Sequence, residues 1–474
     1  MTEAQVASIV EKVVRRLETP PRAQPEPAAV GTEGPGIFAT LDEAVSAAER
    51  AQRDLVALGL AVRVAMVEAM RRVCRENFES LARLAAEETD LGRIEDKVAK
   101  NRLVTERTPG PEFLTTEAFS DDAGLTIQER APFGVLSAIT PSTNPSSTII
   151  NNAIAMVSAG NAVVFNPHPG AVGVSRRTIA LLNEAVAAAG GPPTCFTAVA
   201  EPTVETAQAL MRHPTVAINV VTGSQAVVEE ACRAGKRVIA AGPGTPPVVV
   251  DETAELNKAA RDIVAGASFD NNIVCTDEKE LFAVAAVADA LKDRMKAHGA
   301  YELSPHQIGQ LTRLVLEQEA PARTASTINR AMVGKDAQVL LGHIGVEVPE
   351  TVRLILCETD RDHPFVWTEL LMPILPLVRV ADVDEAISLA VQAEHGFGHT
   401  AVIHSTDVAA MDRMARAMDT AIFVKNGPNY AGLGGDGAGY TSYTIATQTG
   451  EGLTTPYTFS RERRCTLVGA FRIV

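Results

Sequence analysis

A cysteine can act as a nucleophile when it sits in a polar, accessible loop rather than in an apolar core. The segment FDNNIVCTDEK, residues 269–279, offers that setting: Cys275 has Asn, Thr and Asp around it, after a helix around Leu256–Ala267 and before an apolar strand. The other five cysteines, at 74, 195, 232, 357 and 465, lack it and read as small packing residues. A second chemical signal is TGS at 222–224, which follows a strand and opens a helix. Backbone N–H groups and the Ser224 hydroxyl at such a turn can hold a pyrophosphate, and they can equally do no more than cap the helix.

These residues need a scaffold, and the apolar pattern describes one. A capping pattern, TLDE, opens at Thr40 and leads a long Ala-rich helical region to about Lys100. Short strands and helices then alternate: a strand over Phe133–Ile139, a helix over Ser147–Ser158, a strand over Ala162–Phe165 and a helix over Val172–Ala188 closed by Gly190-Gly191. Further strands are expected near 195–199, 216–221 and 237–240. After Gly242-Pro243-Gly244, the strand Pro247–Val250 begins a second α/β block running to roughly residue 425. A glycine-rich loop, Gly432–Gly439, precedes a terminal stretch with the look of an extended strand. The pattern predicts an α/β fold with a parallel, doubly wound sheet whose ligands lie at the carboxyl ends of its strands.

Upstream of all this, residues 1–18 place Val6, Ile9, Val10, Val13, Val14 and Leu17 on one helical face, and residues 19–36 read as a flexible linker. A helix this short is marginal alone, so its apolar stripe calls for a partner surface or for the protein's own body.

Composition sets the outer bounds. A chain of 474 residues exceeds what one hydrophobic core usually fills, so two or more subdomains are expected. A net charge of −15 argues against nucleic-acid binding. The cysteines are scattered and form no C-x-x-C pair, so neither a zinc cage nor a disulfide framework is suggested and a reducing cytosol fits. With no apolar run of membrane-spanning length and no secretory signal pattern, a cytoplasmic protein is expected.

FDNNIVC followed by TDEK resembles the nucleophile loop of CoA-acylating aldehyde dehydrogenases, a branch of the aldehyde dehydrogenase superfamily. ITPSTNPSSTIINNAI (139–154), GNAVVFNPHPGA (160–171), VTGSQAV (221–227), TELLMPILP (368–376) and AEHGFGHTAVIHS (393–405) follow in that superfamily's order. The likeness spans about residues 37 to 474 and is strongest to the propionaldehyde and acetaldehyde enzymes of bacterial microcompartments.

The resemblance implies a set of roles. Cys275 would capture the aldehyde. Asn144, which alone reads as a turn residue before Pro145, would supply its side-chain amide to the oxyanion beside the Cys275 backbone N–H. Thr140, Pro141, Asn166, His168, Thr222, Gly223, Ser224 and Glu369 would line the cofactor site. Glu369 would position the nicotinamide ribose, although an isolated glutamate reads as a surface residue. Asn166 stands where many relatives have a lysine, which leaves NAD against NADP open, with NAD preferred. His168 can touch phosphate or only shape its proline-flanked loop.

Water-using members of the superfamily carry a glutamate general base at the start of the motif that here reads AAGPGTPP. Ala240 and Ala241 replace it, so the acyl group on Cys275 would pass to coenzyme A. The resemblance further implies a cofactor-binding domain over 37–113 and 132–241, a mainly catalytic domain over 242–454, and oligomerisation strands at 114–131 and 455–474 that make at least a dimer. Residues 1–18 would address the enzyme to a microcompartment shell or core protein. Propanal is the first choice of substrate. The competing readings are an acetaldehyde-preferring enzyme, a hydrolytic dehydrogenase and a noncatalytic shell-associated scaffold.

Overall fold

The computed structural model describes residues 34–473. Two parallel sheets carry the architecture. The first sets six strands in the order Ile37–Phe38, Phe196–Val199, Ala162–Pro167, Val135–Thr140, Val216–Thr222 and Arg237–Ala241. From Val135–Thr140 the chain winds to one flank through Ala162–Pro167 and Phe196–Val199. It then returns to fill the other flank, so the order reverses between Val135–Thr140 and Val216–Thr222. A crevice opens outside the carboxyl ends of strands at such a reversal. In this sheet those ends are Thr140 and Thr222.

The second sheet sets seven strands in the order Ala300–Glu302, Leu354–Thr359, Ile374–Val380, Glu280–Val284, Pro247–Val250, Thr400–His404 and Ile422–Lys425, again all parallel. Strands covered on both faces must be apolar throughout rather than alternating. Val248, Val249 and Val250 are accordingly all fully buried, as are Val163 and Val164 in the first sheet.

The expected strands and helices are present with ends within two residues, the strand expected from Phe133 beginning at Val135. The Ala-rich region differs: it is three helices, Leu41–Ala57, Leu60–Thr89 and Ile94–Arg107. Thr40 and Glu43 do form a capping box. Gly59 opens the second helix, and Asp90 closes it in the left-handed conformation, φ 56°. The third helix thereby turns back to pack on Pro145–Ser158, every residue of which is buried.

Glu117–Asp121, Gly124–Pro132 and Ser460–Val468 form a separate three-stranded antiparallel sheet. Opposite charges face each other across it, Glu462 against Arg130 and Arg463 against Glu129. From Arg461 on, its last strand is exposed along its whole length. No helix among the described residues is long and apolar enough to cross a membrane. The helix expected over 1–18 and the linker up to residue 33 lie outside the described residues.

Candidate active site

The loop that carries Cys275 is built on strained backbone. After the helix Leu256–Ala267, three consecutive residues adopt left-handed dihedrals: Asp270 (φ 44°), Asn271 (φ 56°) and Asn272 (φ 65°). Asp and Asn tolerate this region better than other side chains, yet each such residue still costs on the order of 1–3 kcal/mol. The surroundings must therefore hold the loop in place.

Each of the three side chains does so. Asp270 accepts from the Arg93 N–H at 2.6 Å, and its own N–H donates to Asp96 at 3.0 Å. Asn271 donates to the Gly334 carbonyl at 2.8 Å and to Asp336 at 2.9 Å. Asn272 donates to the carbonyls of Ala267 (2.8 Å) and Glu278 (3.0 Å). Gly92 is required here, because a Cβ would fall 2.0 Å from the Asp270 Oδ1.

Lys279 closes the loop from the other side. Buried among carboxylates, it donates to the Asn272 carbonyl (2.7 Å), the Asn272 Oδ1 (2.8 Å) and the Val274 carbonyl (3.3 Å). The Val274 N–H donates to Asp277 at 3.0 Å. Cys275 is thus left half-buried, with buried residues on both sides of it in the chain. The remaining cysteines divide into buried ones (74, 195, 357) and exposed ones (232, 465).

This environment holds the thiol protonated. Burial first, and then the negative charges of Glu369 and Asp277, push Cys275 up to about 12, against the pull of Lys279. An acid whose pKa is raised gains thiolate only as pH climbs, about tenfold per unit while pH stays below the pKa. Alkylation of Cys275 by iodoacetamide in the free protein, followed on its own peptide by mass spectrometry, is therefore expected to accelerate about tenfold per unit from pH 7 to 9. A plateau below pH 8 would contradict this picture of the site.

Asn144 stands at the start of the helix Pro145–Ser158, 7% exposed, and its side chain makes no cap bond. Its Oδ1 instead accepts from Lys100 at 2.6 Å, and its Nδ2 donates to the Thr143 hydroxyl at 3.1 Å. Lys100 also donates to Asp270, so one buried ammonium joins the Asn144 turn to the base of the Cys275 loop. Lys97, one helical turn earlier, donates to the same Asp270 oxygen at 3.1 Å. Burial, and after it the neighbouring Lys100, lowers Lys97 to about 8. Burial works against the charge of Asp270 too, but Lys100 and Lys97 keep its carboxyl below the usual range.

Of the expected cofactor residues, Thr140, Pro141, Thr222, Gly223 and Ser224 lie at the sheet reversal, Asn166 and His168 lie at the end of the neighbouring strand, and Glu369 belongs to the second α/β block. Thr140 has a buried hydroxyl without a partner, and Pro141 follows it into the turn. Thr222 meets Thr444 at 3.2 Å. The Gly223 N–H donates to the Ala241 carbonyl at 3.1 Å, and a Cβ at Gly223 would meet nothing closer than 3.7 Å. Ser224 is the exposed N-cap of the helix Gln225–Arg233 and spends no side-chain bond on the cap. An orphaned hydroxyl and a helix start with no side-chain cap fit a dinucleotide.

Asn166 is committed elsewhere. Its amide donates to the Thr203 carbonyl at 3.4 Å and accepts from the Thr206 hydroxyl at 2.7 Å, tying the strand end to the next helix. His168 is exposed, and its Nδ1 accepts from the Gly170 N–H at 3.0 Å, so it does shape its loop. That bond leaves the other ring nitrogen protonated and facing away from it. Burial and the nearby Arg330 keep its pKa below normal.

Glu369 is half-buried rather than a solvated surface residue. Burial raises its pKa, while Lys279 and the Gly244 N–H act in the other direction. Ala240 and Ala241 are buried at the end of their strand and offer no base. The neighbourhood is nonetheless not free of carboxylates, since Glu369 and Asp277 both act on the thiol. Asp277 is sealed from solvent and bound to Val274, which removes it as an activator of water.

Sequence reasoning assigned no role to four groups: Lys97, Lys100, Lys279 and His399. His399 is fully buried beside Gly244, where a Cβ would meet the Cys275 carbonyl at 2.7 Å and the His399 ring at 3.0 Å. Burial and Lys279 lower it to about 4, so it is neutral at pH 7, with its Nε2 unpartnered. The legible signal for the lysines was their spacing in EDKVAKN, which puts Lys97 and Lys100 on one face of a helix with little apolar residue to bury.

A reactive thiol set against a doubly wound sheet with a dinucleotide crevice describes a nucleotide-dependent dehydrogenase working through a covalent thioester. The chain belongs to the aldehyde dehydrogenase family, whose model matches residues 36–447, and within it to the CoA-acylating branch. It is 50% identical over 466 residues to the acetaldehyde dehydrogenase (acetylating) EutE of Salmonella typhimurium, covering 98% of this chain and 99% of that one. The crystal structure of Rhodopseudomonas palustris propionaldehyde dehydrogenase with bound CoA and an acylated cysteine matches with TM-score 0.89 and 49% identity, over 93% and 99% of the two chains. A propionaldehyde dehydrogenase from the Clostridium phytofermentans fucose utilisation bacterial microcompartment matches with TM-score 0.90 and 45% identity, over 93% and 100%.

Proposed function

We propose that this enzyme oxidises a short aldehyde, propanal first, to its acyl-CoA with NAD, through a thioester on Cys275. The observation that carries this reading is the Cys275 loop itself: a half-buried thiol on strained backbone, joined through Asp270 and Lys100 to the amide of Asn144. Sulfur attack on the aldehyde carbon forms a C–S bond and leaves an oxyanion, which the Asn144 Nδ2 and the Cys275 N–H stabilise. The thiol proton needs an acceptor, and Glu369, whose charge acts on the thiol, is the candidate.

NAD, held by Thr140, Pro141, Thr222, Gly223, Ser224 and Glu369, supplies the acceptance of hydride. Asn166 and His168 support that site from behind, Asn166 by fixing the strand end. Coenzyme A is the second substrate: its thiol attacks the acyl carbon, the Cys275 C–S bond breaks, and acyl-CoA leaves. With Ala240 and Ala241 where a base would stand, water is a weak competitor.

The three-stranded sheet exposes Phe119, Leu467 and Val468, and beyond it Phe471 and Ile473 lie open. Apolar surface of this kind on segments 114–131 and 455–474 supports their role in an assembly of at least two chains. In this reading 37–113 with 132–241 serve the cofactor and 242–454 mainly catalysis, a division that the presence of two separate parallel sheets supports. Residues 1–18 carry the address to a microcompartment shell or core protein, because their apolar residues recur at the spacing that suits docking.

Acetaldehyde and propanal relatives are similarly alike to this chain, so chain length is decided by kinetics. In assays with CoA and NAD, kcat/KM is expected to be highest for propanal among aldehydes of two to four carbons, by the roughly 10-fold that one methylene is worth in an apolar pocket. A higher value for acetaldehyde would reassign the substrate. Repeating the assay on a chain lacking residues 1–18 separates address from catalysis: turnover is expected to be unchanged while co-purification with shells is lost.

A further inference from the structure

Lys100 is 2% exposed and carries three N–H donors, all of which have partners: the Thr143 carbonyl at 3.3 Å, the Asn144 Oδ1 at 2.6 Å, and the Asp270 carboxylate. An ammonium has no acceptor, so the oxygen end of the Asn144 amide must face it. The NH₂ end then points the other way, with Thr143 Oγ1 as its neighbour. Without that constraint an asparagine amide can turn over at little cost, and a turned amide would aim a carbonyl oxygen at the negative charge it is meant to bind.

The surrounding bonds make Lys100 a brace rather than a loose ion. The Asp270 Oδ2 takes both Lys97 and Lys100, while its Oδ1 takes the Arg93 N–H. Buried ion pairs are poor stabilisers on balance, because desolvation offsets their attraction. Stability alone therefore does not account for two lysines in this position. Geometry does: the same Nζ touches the residue that opens the Asn144 helix and the residue that opens the strained Cys275 loop.

We propose that Lys100 is a positioning residue that locks the Asn144 amide with its donor end toward the oxyanion formed at Cys275. It also ties that donor to the nucleophile's loop. The inference rests on Asn144 being the oxyanion donor, and the test separates the two.

NADH formation from propanal is measured in a single turnover, before CoA is added, for the native enzyme and for Lys100→Met, Asn144→Ala and the double variant. Thermal unfolding of each is followed alongside. Lys100→Met is expected to slow the step by between about 10- and 100-fold, as small misplacements in an active site do. In the Asn144→Ala background the same change is expected to slow it by less than about threefold, because the group being oriented is gone. Should Lys100→Met not fold, Lys100→Gln, which keeps a neutral donor, replaces it throughout. A Lys100 variant within twofold of native would overturn the proposal, and so would effects of the two substitutions that simply multiply. If Asn144→Ala proves as fast as native, the oxyanion assignment fails first, and the positioning role of Lys100 falls with it.

Discussion

Cys275→Ala protein is expected to fold, retain its affinity for NAD, and form acyl-CoA at less than about one ten-thousandth of the native rate, since removal of a covalent nucleophile leaves only what binding and orientation supply. The substitution deletes one half-buried sulfur and keeps the backbone N–H. The strain at Asp270, Asn271 and Asn272 and the clamp by Lys279 remain, so the loop has no reason to rearrange. Acyl-CoA measured by chromatography, with circular dichroism as the folding control, decides it. Retained activity would place the nucleophile elsewhere, with exposed Cys232 and Cys465 the accessible alternatives among the described residues.

Asn144→Ala is expected to lower kcat by about 10²–10³-fold while moving KM for the aldehyde little, the pattern of an interaction made only in the transition state. The loss also deprives Lys100 of an acceptor inside the protein. An unsatisfied buried donor costs about 1–3 kcal/mol, so a lower unfolding midpoint should accompany the kinetic change. The Thr143 carbonyl and Asp270 still hold the ammonium, which keeps that cost from reaching the loss of a whole ion pair. Steady-state kinetics on propanal would show it; a kcat within threefold of native would remove Asn144 from the oxyanion site.

The frame of the molecule was legible because its strands are written in unmixed apolar runs. AVVF and PVVV admit few positions other than the middle of a parallel sheet, and Gly190-Gly191 and the TLDE box mark helix ends by local chemistry. The three-helix break was not, since Gly59 opens and Asp90 closes the second helix by backbone conformations that many sequences share. The division of labour in the site was legible only in part. Cys275 and the missing base at Ala240 and Ala241 are local facts, whereas the lysines act across large separations in the chain: Lys100 reaches Asp270, and Lys97 does the same. No window of neighbouring residues contains that information. Asn166 shows another nonlocal fact, since its amide bonds Thr203 and Thr206, which no window of neighbouring residues foretells.

The partial burial of the thiol beside Glu369 and Asp277 ties these features together. It holds the sulfur protonated in the free protein. Asp277, sealed and bound to Val274, and the alanines at 240 and 241 cannot arm a water against the thioester, so Glu369 is the carboxylate beside the thiol on which hydrolysis would depend.

The most direct test isolates that thioester. Enzyme is acylated with propanal and NAD in the absence of CoA, freed of small molecules, and followed by intact mass with and without added CoA. The propanoyl adduct on Cys275 is expected to persist in buffer and to discharge at least about 10²-fold faster with CoA, giving propanoyl-CoA, because an unassisted water lacks the advantage a general base provides. Equal rates of loss in the two arms, with free propanoate as the product, would contradict the account.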